Sequence, residues 1–83
     1  MNEIVHEKVL DCKGLSCPLP ILKTKKQIDN MIPGEVLKME ATDPGSVSDV
    51  NAWTKRTGNE LVSRAENGDI YIFYIIVYLL YWT

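Results

Sequence analysis

The sequence DCKGLSCPLP, residues 11–20, brings a cysteine to the start of a predicted helix whose first turn contains two prolines. The first backbone amides of a helix have no partner within it, so proline is tolerated there. With Cys17 as the N-cap residue, Pro18 and Pro20 take positions N1 and N3. The free amides near the sulfur are then mainly those of Cys17 and Leu19. The positive end of the helix faces the sulfur and favours thiolate over thiol.

The size of this helix-end effect is modest. A helix terminus stabilises a nearby anion by roughly 0.3–1 kcal/mol, and by about 2 kcal/mol in partly buried geometry. Because about 1.4 kcal/mol corresponds to one pKa unit, the pKa of Cys17 is expected roughly one unit below the usual 8.5. The thiol would then be partly ionised near neutral pH without a histidine base. The structural alternative is a helix-capping cysteine that performs no chemistry.

The spacing Asp11-x-x-Gly14-Leu15-x-Cys17-Pro18-x-Pro20 resembles the signature of the TusA/SirA family of small CPxP sulfur-carrier proteins. Four further segments of the chain resemble the same family in the same order. They are PGE at 33–35, TDP at 42–44, DVNAW at 49–53 and TGNEL at 57–61. The resemblance covers about residues 8–76, nearly the whole chain.

The resemblance implies a sulfurtransferase that carries sulfane sulfur as a persulfide on Cys17. Its partners would be a donor protein, either a cysteine desulfurase or a rhodanese, and an acceptor protein. It implies no cofactor, and the sulfur would serve tRNA thiolation, a cofactor such as molybdopterin, or thiosulfate assimilation. The residues expected to support the cysteine are those of the motif: Asp11, Gly14, Leu15, Pro18 and Pro20.

Two other functions stay open at this point. The chain could be a non-catalytic regulatory or protein-interaction module, or a redox sensor that uses Cys12 and Cys17. Cys12 is a candidate resolving thiol for a persulfide on Cys17; alternatively, it is a small side chain that ends the first strand. A zinc site is not expected, because two cysteines and His6 cannot supply four ligands from one chain.

Charged residues near the motif have structural and functional interpretations. Asp11 is expected to orient the loop by accepting amide hydrogen bonds, as in an Asx-turn. Lys13, Lys23 and Lys26 form a basic strip that either faces solvent or docks an acidic partner. With a formal net charge of −2, the chain is not expected to bind nucleic acid directly.

Periodicity predicts the order strand, helix, strand, helix, strand, strand. This order suits an α+β fold: a two-layer sandwich, βαβαββ, with a mixed four-stranded sheet and both helices on one face. The open face of the sheet should be polar or covered by a partner. The predicted elements are strands at 4–10, 35–42, 61–66 and from about 69, and helices at 18–31 and from 44 to 57.

Individual positions within these elements carry more specific predictions. Val5 and Val9 should share one side of the first strand, opposite His6 and Lys8. Asp43 should cap the second helix, with Pro44 at its N1 position. The predicted apolar stripe of the first helix consists of Ile21, Leu22, Ile28, Met31 and Ile32. The apolar face of the second helix consists of Val47, Val50, and Trp53 or Thr54, Gly58 ends that helix, and Asn67-Gly68 forms a hairpin turn.

The chain, residues 1–83, is expected to form a single domain with an unusual end. Residues 70–82 contain no charge, yet they are too few for a membrane-spanning helix. The first half fits the fourth strand, and residues 77–83 form an atypical apolar extension. That extension could cover the open face or an edge, contact another copy or a membrane protein, or be an altered terminus. Without a secretory signal, a cytoplasmic location is expected.

Overall fold

The structure, a computed structural model, describes residues 8–16 and 18–78 of the chain. Over these ranges the element order is βαβαββ, as the sequence predicts. The bounds of the elements are β1 Lys8–Cys12, α1 Leu19–Ile28, β2 Val36–Ala41, α2 Ser46–Thr57, β3 Glu60–Asn67 and β4 Ile70–Ile76.

The sheet has four strands in the order β1-β2-β4-β3, and both helices pack on one of its faces. β1 is parallel to β2, whereas β4 is antiparallel to both β2 and β3. The predicted mixed sheet and α+β sandwich are therefore confirmed. In the β1–β2 register Cys12 lies opposite Ala41, so both parallel strands end at the same edge of the sheet. This edge carries the loop that leads to Cys17.

The first strand ends two residues later than predicted. β1 includes Asp11 and Cys12, which the sequence placed in the following loop, and its buried side chains are Leu10 and Cys12. Val9 is 57% exposed on the opposite face, so its side chain does not face the core. The other residues of the predicted strand, 4–7, include His6 and lie outside the described residues.

The buried stripe of helix α1 agrees only in part with the one predicted. Pro20, Thr24 and Ile28 face the sheet at a spacing of four residues. Of the predicted stripe, Ile28 and Met31 are buried and Ile21 packs against the core. Leu22 is 56% exposed and Ile32 is 65% exposed, so the prediction is wrong at these two positions. The polar residue in this stripe is accommodated because Thr24 Oγ1 donates a hydrogen bond of 2.7 Å to the carbonyl of Pro20, one turn earlier.

Helix α2 begins two residues later than its predicted start. Asp43 is not the N-cap and Pro44 is not at N1: the N-cap is Gly45, and Asp43 contributes its carbonyl, which accepts the N–H of Ser46. The predicted end is confirmed, since Gly58 has φ 81° and closes the helix in the left-handed conformation. Its buried residues are Ser46, Val50, Trp53 and Thr54.

The β3–β4 hairpin turn lies at Gly68-Asp69, one residue later than the predicted Asn67-Gly68. Asn67 pairs with Ile70, and Gly68 at φ 62° occupies the first central position of the two-residue loop. The inner face of the sheet completes the core with Leu37, Met39, Ala41, Phe73 and Ile75, all fully buried. In the described part of the chain, neither helix combines the length and apolar character needed to cross a membrane.

Candidate functional site

Cys17 itself lies outside the described residues, and its two neighbours define the site. Ser16 and Pro18 are both exposed at the surface. The N-cap of α1 is Pro18, with φ −99°, rather than Cys17 as predicted. Pro20 therefore takes position N2. The predicted assignment fails because the first helical hydrogen bonds, from Ile21 N–H and Leu22 N–H, both end on the carbonyl of Pro18 at 3.1 Å.

Fewer free backbone amides lie at the start of α1 than predicted. The Leu19 N–H was expected to be available to the sulfur, but it donates to the carbonyl of Ser16 at 2.9 Å. Pro18 and Pro20 contribute no N–H. The first turn, residues 19–22, reads LPIL and contains no acidic side chain that would oppose an anion. What the helix offers a thiolate at residue 17 is therefore mainly its dipole.

The loop before Cys17 is held at two points. Gly14 has φ 83°, the left-handed conformation expected for a tight turn, and its N–H donates to Thr42 Oγ1 at 2.9 Å. The Leu15 N–H donates to the carbonyl of Cys12 at 3.2 Å, and the Leu15 side chain packs on the core. Sequence reasoning assigned Thr42 no role. The parallel pairing of β1 and β2 was the missing information, because it brings the two following loops together.

Asp11, Lys13 and Glu40 form a charged network beside this loop. Asp11 Oδ1 accepts the N–H of Lys13 at 2.9 Å, the Asx-turn contact that the sequence predicts. The Lys13 ammonium lies 2.9 Å from Glu40 Oε1 and 3.3 Å from Asp11 Oδ1. The backbone N–H of Lys13 lowers the pKa of Asp11, and the Lys13 ammonium lowers the pKa of Glu40. These contacts raise the pKa of Lys13, with Glu40 contributing most.

The three lysines of the predicted docking strip differ in their contacts. Lys13 is held in the network with Asp11 and Glu40, and the Lys23 ammonium donates to the carbonyl of Asp11 at 2.8 Å. Both lysines thus tie the end of β1 to neighbouring elements. Lys26 is exposed and lines a shallow groove of 260 Å³ with Lys23, Leu10, Gln27 and Asn30. The lysines therefore do not form one uniform solvated strip.

Cys12 is a core residue. Its exposure is 0%, and its Sγ lies 3.9 Å from the carbonyl of Pro20, to which the thiol donates. The same carbonyl accepts the Thr24 hydroxyl, so the first turn of α1 is tied to the end of β1. Burial raises the pKa of the Cys12 thiol. Burial and the raised pKa both suit a structural cysteine, because the thiolate, and not the thiol, is the nucleophile.

An open groove of 210 Å³ runs between the two helices beside the motif. Pro18 and Ile21 line it from α1, and the second helix contributes the apolar residues Ala52 and Trp53. The second helix also contributes one acidic and one basic side chain to the groove, those of Asp49 and Arg56.

The first turn of α1 also exposes two leucines, which are not among the residues that line this groove. Leu19 is 48% exposed and Leu22 is 56% exposed. Sequence reasoning missed this apolar surface because the spacing of Leu22 matched a buried stripe.

The described residues contain no group of three or more His, Cys, Asp or Glu side chains that could hold a metal ion.

Comparison with known proteins gives the family. The model of the family described as "Sulfurtransferase TusA" matches residues 8–77. The chain belongs to this family. It is 51% identical over 69 residues to the sulfur carrier protein TusA of Allochromatium vinosum, a match that covers 83% of this chain and 91% of that protein. It is 33% identical over 75 residues to the sulfur carrier protein TusA of Pseudomonas entomophila, covering 90% and 94% of the two chains.

A solved structure supports the fold. The crystal structure of a SirA-like protein from Desulfitobacterium hafniense superposes with a TM-score of 0.75 and covers 88% of this TusA-family chain and all of that one. The sequence identity is 16%, so this likeness concerns the fold alone. It confirms the two-layer βαβαββ arrangement that the sequence predicts.

Proposed function

We propose that this TusA-family chain is a persulfide carrier in which Cys17 takes sulfane sulfur from a donor protein and passes it to an acceptor protein. The donor would be a cysteine desulfurase or a rhodanese, and tRNA thiolation is one destination for the sulfur. Asp11, Gly14, Leu15, Pro18 and Pro20 would position Cys17 without touching the sulfur.

The transfer needs no cofactor and no net oxidation. The Cys17 thiolate attacks the terminal sulfur of a donor persulfide, R–S–SH. A bond forms between Cys17 Sγ and that sulfur, the donor S–S bond breaks, and the donor leaves as the thiolate R–S⁻. An acceptor thiolate then attacks the terminal sulfur of Cys17–S–SH and releases the Cys17 thiolate. Such exchange depends on thiolate fraction and on access to the sulfur.

The burial of Cys12 is the observation that carries this proposal. The chain has two cysteines, and Cys12 lies fully buried with its thiol donated to Pro20. A reacting partner thiol would have to open the contact between β1 and α1 to reach it. Cys17 is left as the thiol for chemistry, which disfavours the redox sensor that pairs the two cysteines.

The surroundings of residue 17 favour a protein as the reaction partner. Exposed Leu19 and Leu22, with the groove lined by Pro18 and Trp53, offer apolar contact area beside the reacting position. Apolar surface of this kind marks protein contacts. Lys26, exposed on the same helix, adds positive charge that would steer an acidic partner towards it.

Intact mass spectrometry tests the proposal. The chain is incubated with a cysteine desulfurase and cysteine, and separately with a rhodanese and thiosulfate. We expect a gain of one sulfur atom that a reducing agent removes. The gain should be absent in Cys17→Ser and present in Cys12→Ala, the matched variant of the second cysteine.

Three results would contradict the proposal. Sulfur on the Cys17→Ser variant would place the carried sulfur on Cys12. The absence of any gain from either donor, with the chain shown to be folded by circular dichroism, would favour the non-catalytic interaction module. A reversible disulfide between the two cysteines under mild oxidant would restore the redox sensor.

A further inference from the structure

β1 lies at one edge of the sheet, and its outer side presents backbone groups. Among the described strands it pairs with β2 alone. The carbonyl of Asp11 accepts the Lys23 ammonium at 2.8 Å, which places the backbone groups of Asp11 on the side away from β2. Backbone groups alternate in direction along a strand, so those of Val9 also point outwards. The outer edge therefore offers the N–H and carbonyl of Val9 and the N–H of Asp11 for hydrogen bonding.

A basic groove follows this edge, between β1 and α1. It has a volume of 260 Å³ and is lined by Leu10, Lys23, Lys26, Gln27 and Asn30. Among the described residues that line it, none is acidic. Strand alternation adds a further lysine, because the exposed Lys8 lies on the same face of β1 as the buried Leu10. The groove therefore suits negatively charged side chains.

The carboxylates nearest to the groove in the sequence have lysine partners of their own. Asp11 lies on the opposite face of β1 from Leu10, and its Oδ1 is 3.3 Å from the Lys13 ammonium. Asp29, at the end of α1, has its Oδ2 3.7 Å from the Lys25 ammonium. The positive charge of Lys23 and Lys26 is therefore left for an acidic group from outside the chain.

The other edge strand, β3, is less suited to pairing with a further strand. Its register with β4 shifts between Leu61 and Ser63, and such a bulge interrupts the row of backbone groups. It also carries charges of both signs side by side, because Arg64 lies 3.5 Å from Glu66. The register of β1 with β2, by contrast, is continuous over the whole of β1.

We propose that β1 binds an extended segment of a partner protein as an additional strand, in which acidic side chains alternate with apolar ones. The acidic side chains lie on the helix side, against Lys23 and Lys26. The apolar ones lie on the other side, against Val9, which is 57% exposed. In strand addition the backbone hydrogen bonds supply affinity, and the alternate side chains supply specificity.

Charge decides between this occupant and a second copy of the chain. Pairing β1 with β1 of another copy would bring the lysines of both basic grooves together, and like charges disfavour such pairing. The added strand also leaves the sulfur-transfer site free, because the groove lined by Pro18 and Trp53 lies between the two helices. The proposal concerns β1 and does not depend on whether Cys17 carries sulfur.

Nuclear magnetic resonance of the full chain tests strand addition. The probe is a synthetic peptide of about eight residues in which glutamate and valine alternate. At low ionic strength it should shift the amide resonances of Val9 and Asp11 and slow hydrogen exchange at both N–H groups about threefold or more. A peptide with the glutamates and valines in two separate blocks should do neither, because it cannot place them on opposite faces of a strand.

Lys26→Glu and Lys55→Glu are matched variants. Both lysines are exposed in the last turn of a helix, but only Lys26 lines the basic groove. Lys26→Glu should weaken peptide binding about fivefold at low salt, and Lys55→Glu should leave it unchanged. Val9→Pro should abolish binding while the fold is kept, because it removes an N–H that faces away from β2. Circular dichroism checks the fold of each variant.

Other outcomes would overturn the proposal. No shift with the alternating peptide, or shifts at Leu19 and Leu22 with none at Val9, would show that β1 does not bind such a strand. Equal weakening in the two lysine variants would show a general effect of charge. Exchange protection of Val9 without peptide, lost on dilution, would show that β1 pairs with a second copy. Binding of oligouridine in place of the peptide would assign the basic groove to RNA.

Discussion

Replacing Gly14 by alanine tests whether the shape of the loop before Cys17 matters for sulfur transfer. Gly14 has φ +83°, and a Cβ atom built on it meets no other atom within 4 Å. The substitution therefore adds no steric contact and acts through the backbone alone. The Gly14 N–H also donates to Thr42 Oγ1. A change of conformation at Gly14 would therefore break a contact between the loop after β1 and the loop after β2.

The magnitude follows from two opposing effects. The left-handed conformation costs an L-residue roughly 1–2 kcal/mol. Replacing glycine by alanine also lowers the entropy of the unfolded chain, which stabilises the fold by about 0.4–1 kcal/mol. The net loss is about 1 kcal/mol, equivalent to a fall in melting temperature of about 4–8 °C for a chain of this size. If the loop relieves this strain by moving, its original conformation becomes about five times less populated.

Gly58→Ala is the matched control. Gly58 has φ +81° and likewise open space around a Cβ atom, but it ends α2 at the opposite end of the sheet from the Cys17 loop. We expect both variants to lose similar free energy of unfolding in urea titrations followed by circular dichroism. Only Gly14→Ala should slow persulfide loading in single-turnover mass spectrometry, by up to about fivefold. Gly14→Asn should recover part of both losses, because asparagine tolerates this conformation.

Two results would refute this reasoning. Equal loading rates for the two alanine variants, measured where both are fully folded, would show that the conformation at Gly14 does not position Cys17. An unfolding free energy unchanged in Gly14→Ala would show that the loop does not hold the left-handed conformation in solution.

Three further predictions concern the surroundings of the motif. In the native chain a thiol reagent at neutral pH should modify one cysteine, and Cys12 should react only after urea unfolds the protein, because it is buried. Lys13→Met should lower the melting temperature at pH 7, and this difference should shrink as the pH falls from the ordinary carboxyl pKa of 4.5 through the depressed pKa of Glu40. An equal difference at pH 7 and at a pH low enough to protonate Glu40 in the folded protein would contradict this. Leu22→Ala should slow persulfide loading from a protein donor at least twofold without slowing alkylation of the motif cysteine by iodoacetamide. Val62→Ala, at a comparably exposed apolar position on β3, should change neither rate.

The sequence by itself predicted the features that depend on local chemistry. The element order follows from periodicity, and the stops at Gly58 and Gly68 follow from glycine's access to positive φ. The Asx-turn at Asp11 is local as well, since its partner lies two residues away. The motif around Cys17 likewise indicated the family, because its spacing is a property of the chain alone.

The tertiary structure decided which side chains face inward and which loops meet. Leu22 and Thr24 are two positions apart on one helix, and only packing against β1 and β2 shows that the threonine is buried and the leucine exposed. The sequence left Cys12 open between a resolving thiol and a small side chain that ends the first strand, and its buried position at the end of β1 favours the second. The contact between Gly14 and Thr42 depends on the parallel pairing of strands distant in sequence. Such contacts join residues far apart along the chain, and periodicity within one element carries no information about them.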